Sequence, residues 1–157
     1  MRIGIGYDAH KFKEGRSLIL GGVIIPYHYG LAGHSDADVL THSMIDALLG
    51  ALSMGDIGTW FPNTDEKYAG ADSIELLKFT YKNILNSGYI LTNSDSVIIA
   101  QEPQLQDYLP LIRKKISLAL NTQKDSISVK ATTTEGMGFE GRKEGIVAQT
   151  VCLLEKK

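Results

Sequence analysis

The sequence predicts an α+β fold, a two-layer domain in which a mixed or antiparallel sheet carries three helices on one face. Three observations lead there. Three stretches place apolar residues at helical spacing, several short runs read as strands, and the two kinds do not alternate as a doubly wound parallel sheet requires. With 157 residues, 43% hydrophobic and 22% charged, residues 1–157 have the length of a single domain and the composition of a globular one.

Residues 2–7 read as the first strand. Leu18-Ile19-Leu20 and Val23-Ile24-Ile25 flank Gly21-Gly22, a composition that suits a two-residue hairpin turn. A helix follows, with Ser35 or Asp36 to cap its first turn, Leu40, Met44, Ile45, Leu48 and Leu52 as its core stripe, and Gly55 as its stop. Asp72 with Glu75 three residues on announces the second helix, which carries Leu76, Leu77, Tyr81, Ile84 and Leu85 and ends at Gly88. Residues 96–100 read as a strand. Pro110 fits the first turn of a third helix bearing Ile112, Ile116 and Leu120, and residues 127–132 and 146–154 read as closing strands. The stretch from Asp56 to Gly70 is too irregular for a regular element, and loops of that length often carry function.

A net charge of −2 gives no basic field for a nucleic acid or an anionic membrane. No run approaches the roughly 20 apolar residues that span a bilayer, and the first residues lack a secretory or transit pattern, so the expected location is cytoplasmic. Cys152, the one cysteine, lies in an apolar run and reads as core packing. Two glycine patterns, from Gly4 and from Gly136, imitate a dinucleotide fingerprint, but neither is expected to open a helix. Arg113-Lys114-Lys115 reads as a solvated helix face, and His28, between Tyr27 and Tyr29, as an ordinary surface histidine.

Chemistry concentrates elsewhere. Asp8 and His10 flank one residue at the end of the first strand, so both side chains leave on the same side. Alone, that triplet also fits a capped turn with a satisfied histidine. On the first helix Asp38, His42 and Asp46 stand four residues apart along one stripe, and short Asp neighbours around a histidine resemble a metal ligand with its orienting carboxylates. Asp8, His10 and His42 would supply three ligands and leave a fourth position open, the catalytic arrangement for zinc. Two imidazoles and a carboxylate favour zinc over magnesium, with iron in a facial triad as the alternative. His34-Ser35, just before that helix, offers free N–H groups to a phosphate oxygen. Thr132-Thr133-Thr134-Glu135 suits phosphate oxygens and a second, harder cation, or else is a threonine-rich strand end.

Several strings then occur in order: Gly4-Ile5-Gly6-Tyr7-Asp8-Ala9-His10, His34-Ser35-Asp36-Ala37-Asp38-Val39-Leu40-Thr41-His42, Gly55-Asp56-Ile57-Gly58, Phe61-Pro62-Asn63-Thr64-Asp65, Gly70-Ala71-Asp72-Ser73, Ala131-Thr132-Thr133-Thr134-Glu135 and Gly138-Phe139-Glu140-Gly141-Arg142. In this order and spacing the chain resembles the 2-C-methyl-D-erythritol 2,4-cyclodiphosphate synthase family. The resemblance implies zinc on Asp8, His10 and His42, with Asp8, Ala9, His10, His34 and Ser35 facing the substrate. It implies that Asp56, Ile57 and Gly58, with Phe61, Pro62, Asn63, Thr64 and Asp65, receive the methylerythritol phosphate portion. Ala100, Gln101, Glu102, Pro103, Gln104, Leu105 and Gln106, with Thr132, Thr133, Thr134 and Glu135, would line the cytidine diphosphate end, and Glu135 would hold magnesium or manganese. His34 and Thr133 are the positions expected to stabilise the transition state.

The family also implies a homotrimer with active sites between subunits, Phe139 and Arg142 as further substrate or central-cavity contacts, and a central channel that accepts an isoprenoid diphosphate, with Arg142 as its contact. The substrate would be a CDP-linked methylerythritol phosphate whose own 2-phosphate is the nucleophile, which explains the absence of a base triad. Two positions depart from the family pattern: Gln104 stands for a usual lysine, beside Glu102, and Asn63 for a frequent aspartate. A metal-dependent phosphohydrolase and a non-catalytic isoprenoid-binding module are the alternative readings.

Overall fold

Alternation along the first strand decides how the molecule layers. In the computed structural model, which describes residues 1–157, β1 runs Arg2–Lys13. Gly4 and Gly6 face inward and are buried, while Ile3, Ile5 and Tyr7 face outward and stay exposed. The chain continues through β2 (Leu18–Leu20), β3 (Val23–Ile25), β4 (Gly30–Leu31), α1 (Val39–Ala51), α2 (Ile57–Trp60), α3 (Ser73–Asn86), β5 (Tyr89–Ile99), α4 (Leu109–Ala119), β6 (Ile127–Thr132), α5 (Gly138–Gly141) and β7 (Gly145–Lys156).

Five strands form one sheet in the order β4-β1-β7-β5-β6. Every pairing is antiparallel except β5 with β6, so the sheet is mixed. β2 and β3 form the expected hairpin apart from it, and Gly21 and Gly22 turn it at φ 58° and 72°, where glycine alone is unstrained. The three long helices are the announced ones, and α2 and α5 are single turns that periodicity cannot reveal. Thus the glycine pattern from Gly136, expected to open no helix, contains one turn of it.

α1 is buried along almost its whole length against β1 and β7, rather than along one stripe. The reason lies in β1. A methyl group on Gly4 or Gly6 would meet the backbone oxygen of Ala47 or Ser43 at 1.9 Å, so the missing side chains let the helix settle directly on the strand.

The cap of α1 is Asp38, not Ser35 or Asp36. Its carboxylate is fully buried and accepts the N–H groups of Gly21 (2.9 Å), Gly22 (2.7 Å) and Thr41 (3.0 Å) and the Thr41 hydroxyl (2.8 Å). Burial pushes the Asp38 pKa up, and these donors oppose that shift. Asp38 therefore ties the hairpin turn to the helix and does not orient His42. α3 has its expected Asp72 cap and Gly88 terminus, and Pro110 stands in the first turn of α4. Arg113 is more than a solvated charge: its guanidinium donates to the Ile127 carbonyl (2.7 Å) and anchors α4 to β6.

Cys152 is buried and its thiol pKa is pushed up to about 11 by that burial, the state of an inert core residue. His28 is exposed beside Tyr27 and Tyr29. No helix is long and apolar enough to cross a membrane.

Candidate metal centre and active site

Because side chains alternate along β1, Asp8 and His10 share the inward face with Gly6 and point at the first turn of α1. There His42 meets them. His10 Nε2 lies 2.9 Å from Asp8 Oδ2, His42 Nδ1 lies 3.0 Å from the same oxygen, and the two ring nitrogens are 3.2 Å apart. Three ligand atoms thus form a compact triangle, and no fourth protein ligand joins them. Tetrahedral zinc at about 2.0–2.1 Å needs edges of roughly 3.3 Å, so a few tenths of an ångström of opening fits the ion.

Each member is held from behind. Asp8 Oδ1 accepts the Ala9 N–H at 2.9 Å, which leaves Oδ2 for the triangle. His10 Nδ1 donates to the Ala32 carbonyl at 2.6 Å, which turns Nε2 toward the triangle. Burial works against charge on Asp8, but hydrogen bonds and attraction from His10 and His42 overcome it and hold the carboxyl well below the usual carboxylate range. Burial likewise opposes protonation of His10, yet Asp8 raises its pKa above the ordinary histidine value. Two imidazoles gathered on one carboxylate make a dense donor set, and a divalent cation satisfies it better than protons do.

The triangle opens into a cleft of about 190 Å³ lined by Gly33, His34, Ser35, Ile57, Gly58, Phe61, Asn63, Tyr68 and Leu76. A second cleft, of about 370 Å³, is lined by Ala100, Gln101, Glu102, Pro103, Gln104, Leu105, Gln106, Ala131, Thr132 and Thr133. Within one chain the two are apart. Register places Asp8 beside Ala148, Ala148 beside Ile98 and Ile98 beside Ala131, so three inter-strand spacings, roughly 14 Å, separate Asp8 from Ala131.

The YgbB family profile matches residues 1–155. The chain belongs to the YgbB family. It is 56% identical over 154 residues to the 2-C-methyl-D-erythritol 2,4-cyclodiphosphate synthase of Clostridioides difficile, covering 98% of this chain and 96% of that one. Among solved structures, the Plasmodium falciparum IspF CDP complex superimposes with a TM-score of 0.88 at 39% identity, covering 99% and 96% of the two chains. The bifunctional IspDF from Campylobacter jejuni gives a TM-score of 0.96 at 44% identity, with 99% of this chain matching 42% of that longer one.

Against the positions named from the sequence, this YgbB-family chain gathers Asp8, His10, His34, Ser35, His42, Ile57, Gly58, Phe61 and Asn63 at one cleft, and Ala100–Gln106 with Thr132 and Thr133 at the other. Glu135 does not approach the triangle. It is exposed at φ 53°, accepting the Thr133 hydroxyl at 3.1 Å. Ala9, Asp56, Pro62, Thr64, Asp65, Thr134, Phe139 and Arg142 line neither cleft. Asp56 instead caps α2 through Thr59, Asp65 caps the single 3-10 turn Glu66–Tyr68, and Arg142 pairs with Glu144 at 2.7 Å.

The stripe Asp38-His42-Asp46 does not act as one unit. Asp46 accepts the Ile57 N–H at 2.7 Å and so fixes the start of α2. Sequence reasoning missed Arg16, whose guanidinium donates to the carbonyls of Gly33 (2.7 Å) and Ser35 (2.5 Å) and pins the loop before α1. It also missed Tyr68, which packs edge-on against Phe61 with centroids 5.3 Å apart, and Leu76. Helical spacing marks Leu76 only as core, and nothing local marks Arg16.

Proposed function

We propose that the chain is a metal-dependent 2-C-methyl-D-erythritol 2,4-cyclodiphosphate synthase, one synthase domain over residues 1–157. It cyclises 4-diphosphocytidyl-2-C-methyl-D-erythritol 2-phosphate and releases CMP, in the non-mevalonate route to isoprenoid precursors. The single observation that carries this is the Asp8–His10–His42 triangle at the mouth of a cleft, in a chain that matches synthases along its length.

In the reaction an oxygen of the 2-phosphate attacks the β-phosphorus, the bond from that phosphorus to the bridging oxygen breaks, and CMP leaves with the bond's electron pair. Zinc on the triangle and magnesium or manganese at Glu135 supply charge neutralisation to the phosphoryl oxygens when bound. The protein's share is geometry. Ile57, Gly58, Phe61 and Asn63 enclose the methylerythritol phosphate end, and Ala100–Gln106 with Thr132 and Thr133, followed in the chain by Thr134 and Glu135, take the nucleotide end, so a flexible chain is folded back on itself. His34, whose Nε2 lies 3.3 Å from the Asp65 carbonyl, and Thr133 stand at the respective clefts to stabilise charge that develops on the transferring phosphoryl group. Gln104 removes a usual cation from the nucleotide cleft. Glu102 in that cleft is already neutralised by Lys143 at 2.5 Å.

Two clefts roughly 14 Å apart serve one substrate when a neighbouring subunit brings its nucleotide cleft against the metal cleft, as in a homotrimer. The outward face of β1 supports this assembly: Ile3, Ile5 and Tyr7 are 72%, 60% and 57% exposed beside Val151, an apolar surface that a monomer rarely leaves in water. Phe139 and Arg142 then serve as further substrate or central-cavity contacts, with Arg142 the contact for an isoprenoid diphosphate in the channel. The enzyme is cytoplasmic in this reading.

Purified protein given the substrate with zinc and magnesium is expected to release CMP with no inorganic phosphate, followed by phosphorus NMR. Free phosphate would show a phosphohydrolase instead, and no turnover by metal-loaded protein would favour a binding module.

A further inference from the structure

Behind His42, on the side away from Asp8, two buried hydroxyls meet its second ring nitrogen. Nε2 lies 2.9 Å from Ser73 Oγ and 3.0 Å from Ser35 Oγ. Ser73 is fully buried in the first turn of α3, and its hydroxyl also contacts Asp36 Oδ1. Three donors converge on the Asp36 carboxyl: the Ser73 hydroxyl, the Ser73 N–H at 3.0 Å and the Asp38 N–H at 3.2 Å.

We propose that Asp36 and Ser73 form a positioning relay that keeps a proton on His42 Nε2 and so leaves Nδ1 as the nitrogen presented to Asp8 and the metal. The argument is a proton inventory. A carboxylate gathering three donors offers none of its own, so the single Ser73 proton is committed to Asp36. Ser73 Oγ can then only accept, and the proton between it and His42 belongs to Nε2. With the Nε2 proton held by Ser73, Nδ1 is the nitrogen turned to Asp8 Oδ2, 3.0 Å away, and a cation binds there by displacing the proton that nitrogen shares with the carboxylate.

The relay also couples the metal cleft to α3. Asp36 precedes α1 and Ser73 opens α3, so the ring is held between two helix starts rather than by its own helix alone. Neither residue lines the cleft, which is why ligand spacing could not single them out.

The proposal rests on the metal reading of the triangle, and its test separates the two. In metal-free protein with nitrogen-15-labelled histidine, His42 is expected to carry a proton on Nε2. Asp36→Asn presents an amide N–H to Ser73 and frees the serine proton for His42, so the population is expected to move toward Nδ1–H. Titration with zinc alone, against a competing chelator, is expected to show affinity reduced about 10- to 100-fold in Asp36→Asn and in Ser73→Ala. Thermal unfolding of the metal-free variants reports any structural cost separately. His42 Nε2 found unprotonated in the metal-free wild type, or wild-type zinc affinity in both variants, would overturn the relay. Wild-type protein that binds no zinc would overturn the metal reading together with it.

Discussion

Replacing His42 by alanine is expected to lower zinc affinity by more than about 10²-fold, beyond what losing an outer-shell partner costs, and to reduce CMP release in step. The ring supplies one corner of a three-ligand triangle, and with it gone Asp8 and His10 offer only two donors 2.9 Å apart. The fold should survive. α1 is anchored by Leu40, Met44, Ile45 and Leu48, all fully buried, and the ring itself borders an open cleft that water can fill. Zinc content after dialysis, measured beside circular dichroism, checks both halves. Full zinc occupancy in a folded variant would contradict the ligand assignment.

Gly6→Ala is expected to destabilise the protein by about 3 kcal/mol or more, the upper end of overpacking costs, and to lose zinc as a consequence. The added methyl would sit 1.9 Å from the Ser43 carbonyl oxygen and 2.8 Å from the Ala47 nitrogen. Both are backbone atoms of α1, so no rotamer change relieves the clash and the helix must lift from β1. His42 rides on that helix one residue before Ser43, so the triangle opens with it. In a chain of this length such a loss lowers the melting temperature by roughly 6–12 °C. Gly50→Ala is the internal control: its methyl would meet only the Ile5 oxygen at 3.7 Å, and alanine is expected to stabilise a helix position by about 0.5–1 kcal/mol. Equal melting temperatures for the two variants would contradict the close-packing argument.

These two cases show where the sequence was legible. Periodicity located the three long helices because an apolar stripe is a local signal, and Gly21-Gly22 announced its turn for the same reason. Strand lengths were not local. β1 extends to Lys13 because β7 and β4 pair with it, and β5 begins at Tyr89, opposite Lys156. Both extensions depend on residues far along the chain. The triad was legible because alternation in β1 and a helix start each constrain direction. The relay and the loop anchor Arg16 were not, since Asp36, Ser73 and Arg16 act on groups many residues away. Asp38 shows the opposite failure: its spacing from His42 pointed to a shared task, yet its carboxylate serves the hairpin turn.

Anomalous diffraction at the zinc edge, from crystals of the protein grown with zinc, tests the central claim most directly. One peak per chain is expected at about 2.0–2.1 Å from Asp8 Oδ2, His10 Nε2 and His42 Nδ1 together. A peak bound elsewhere, or none in crystals whose dissolved protein turns over substrate, would contradict it.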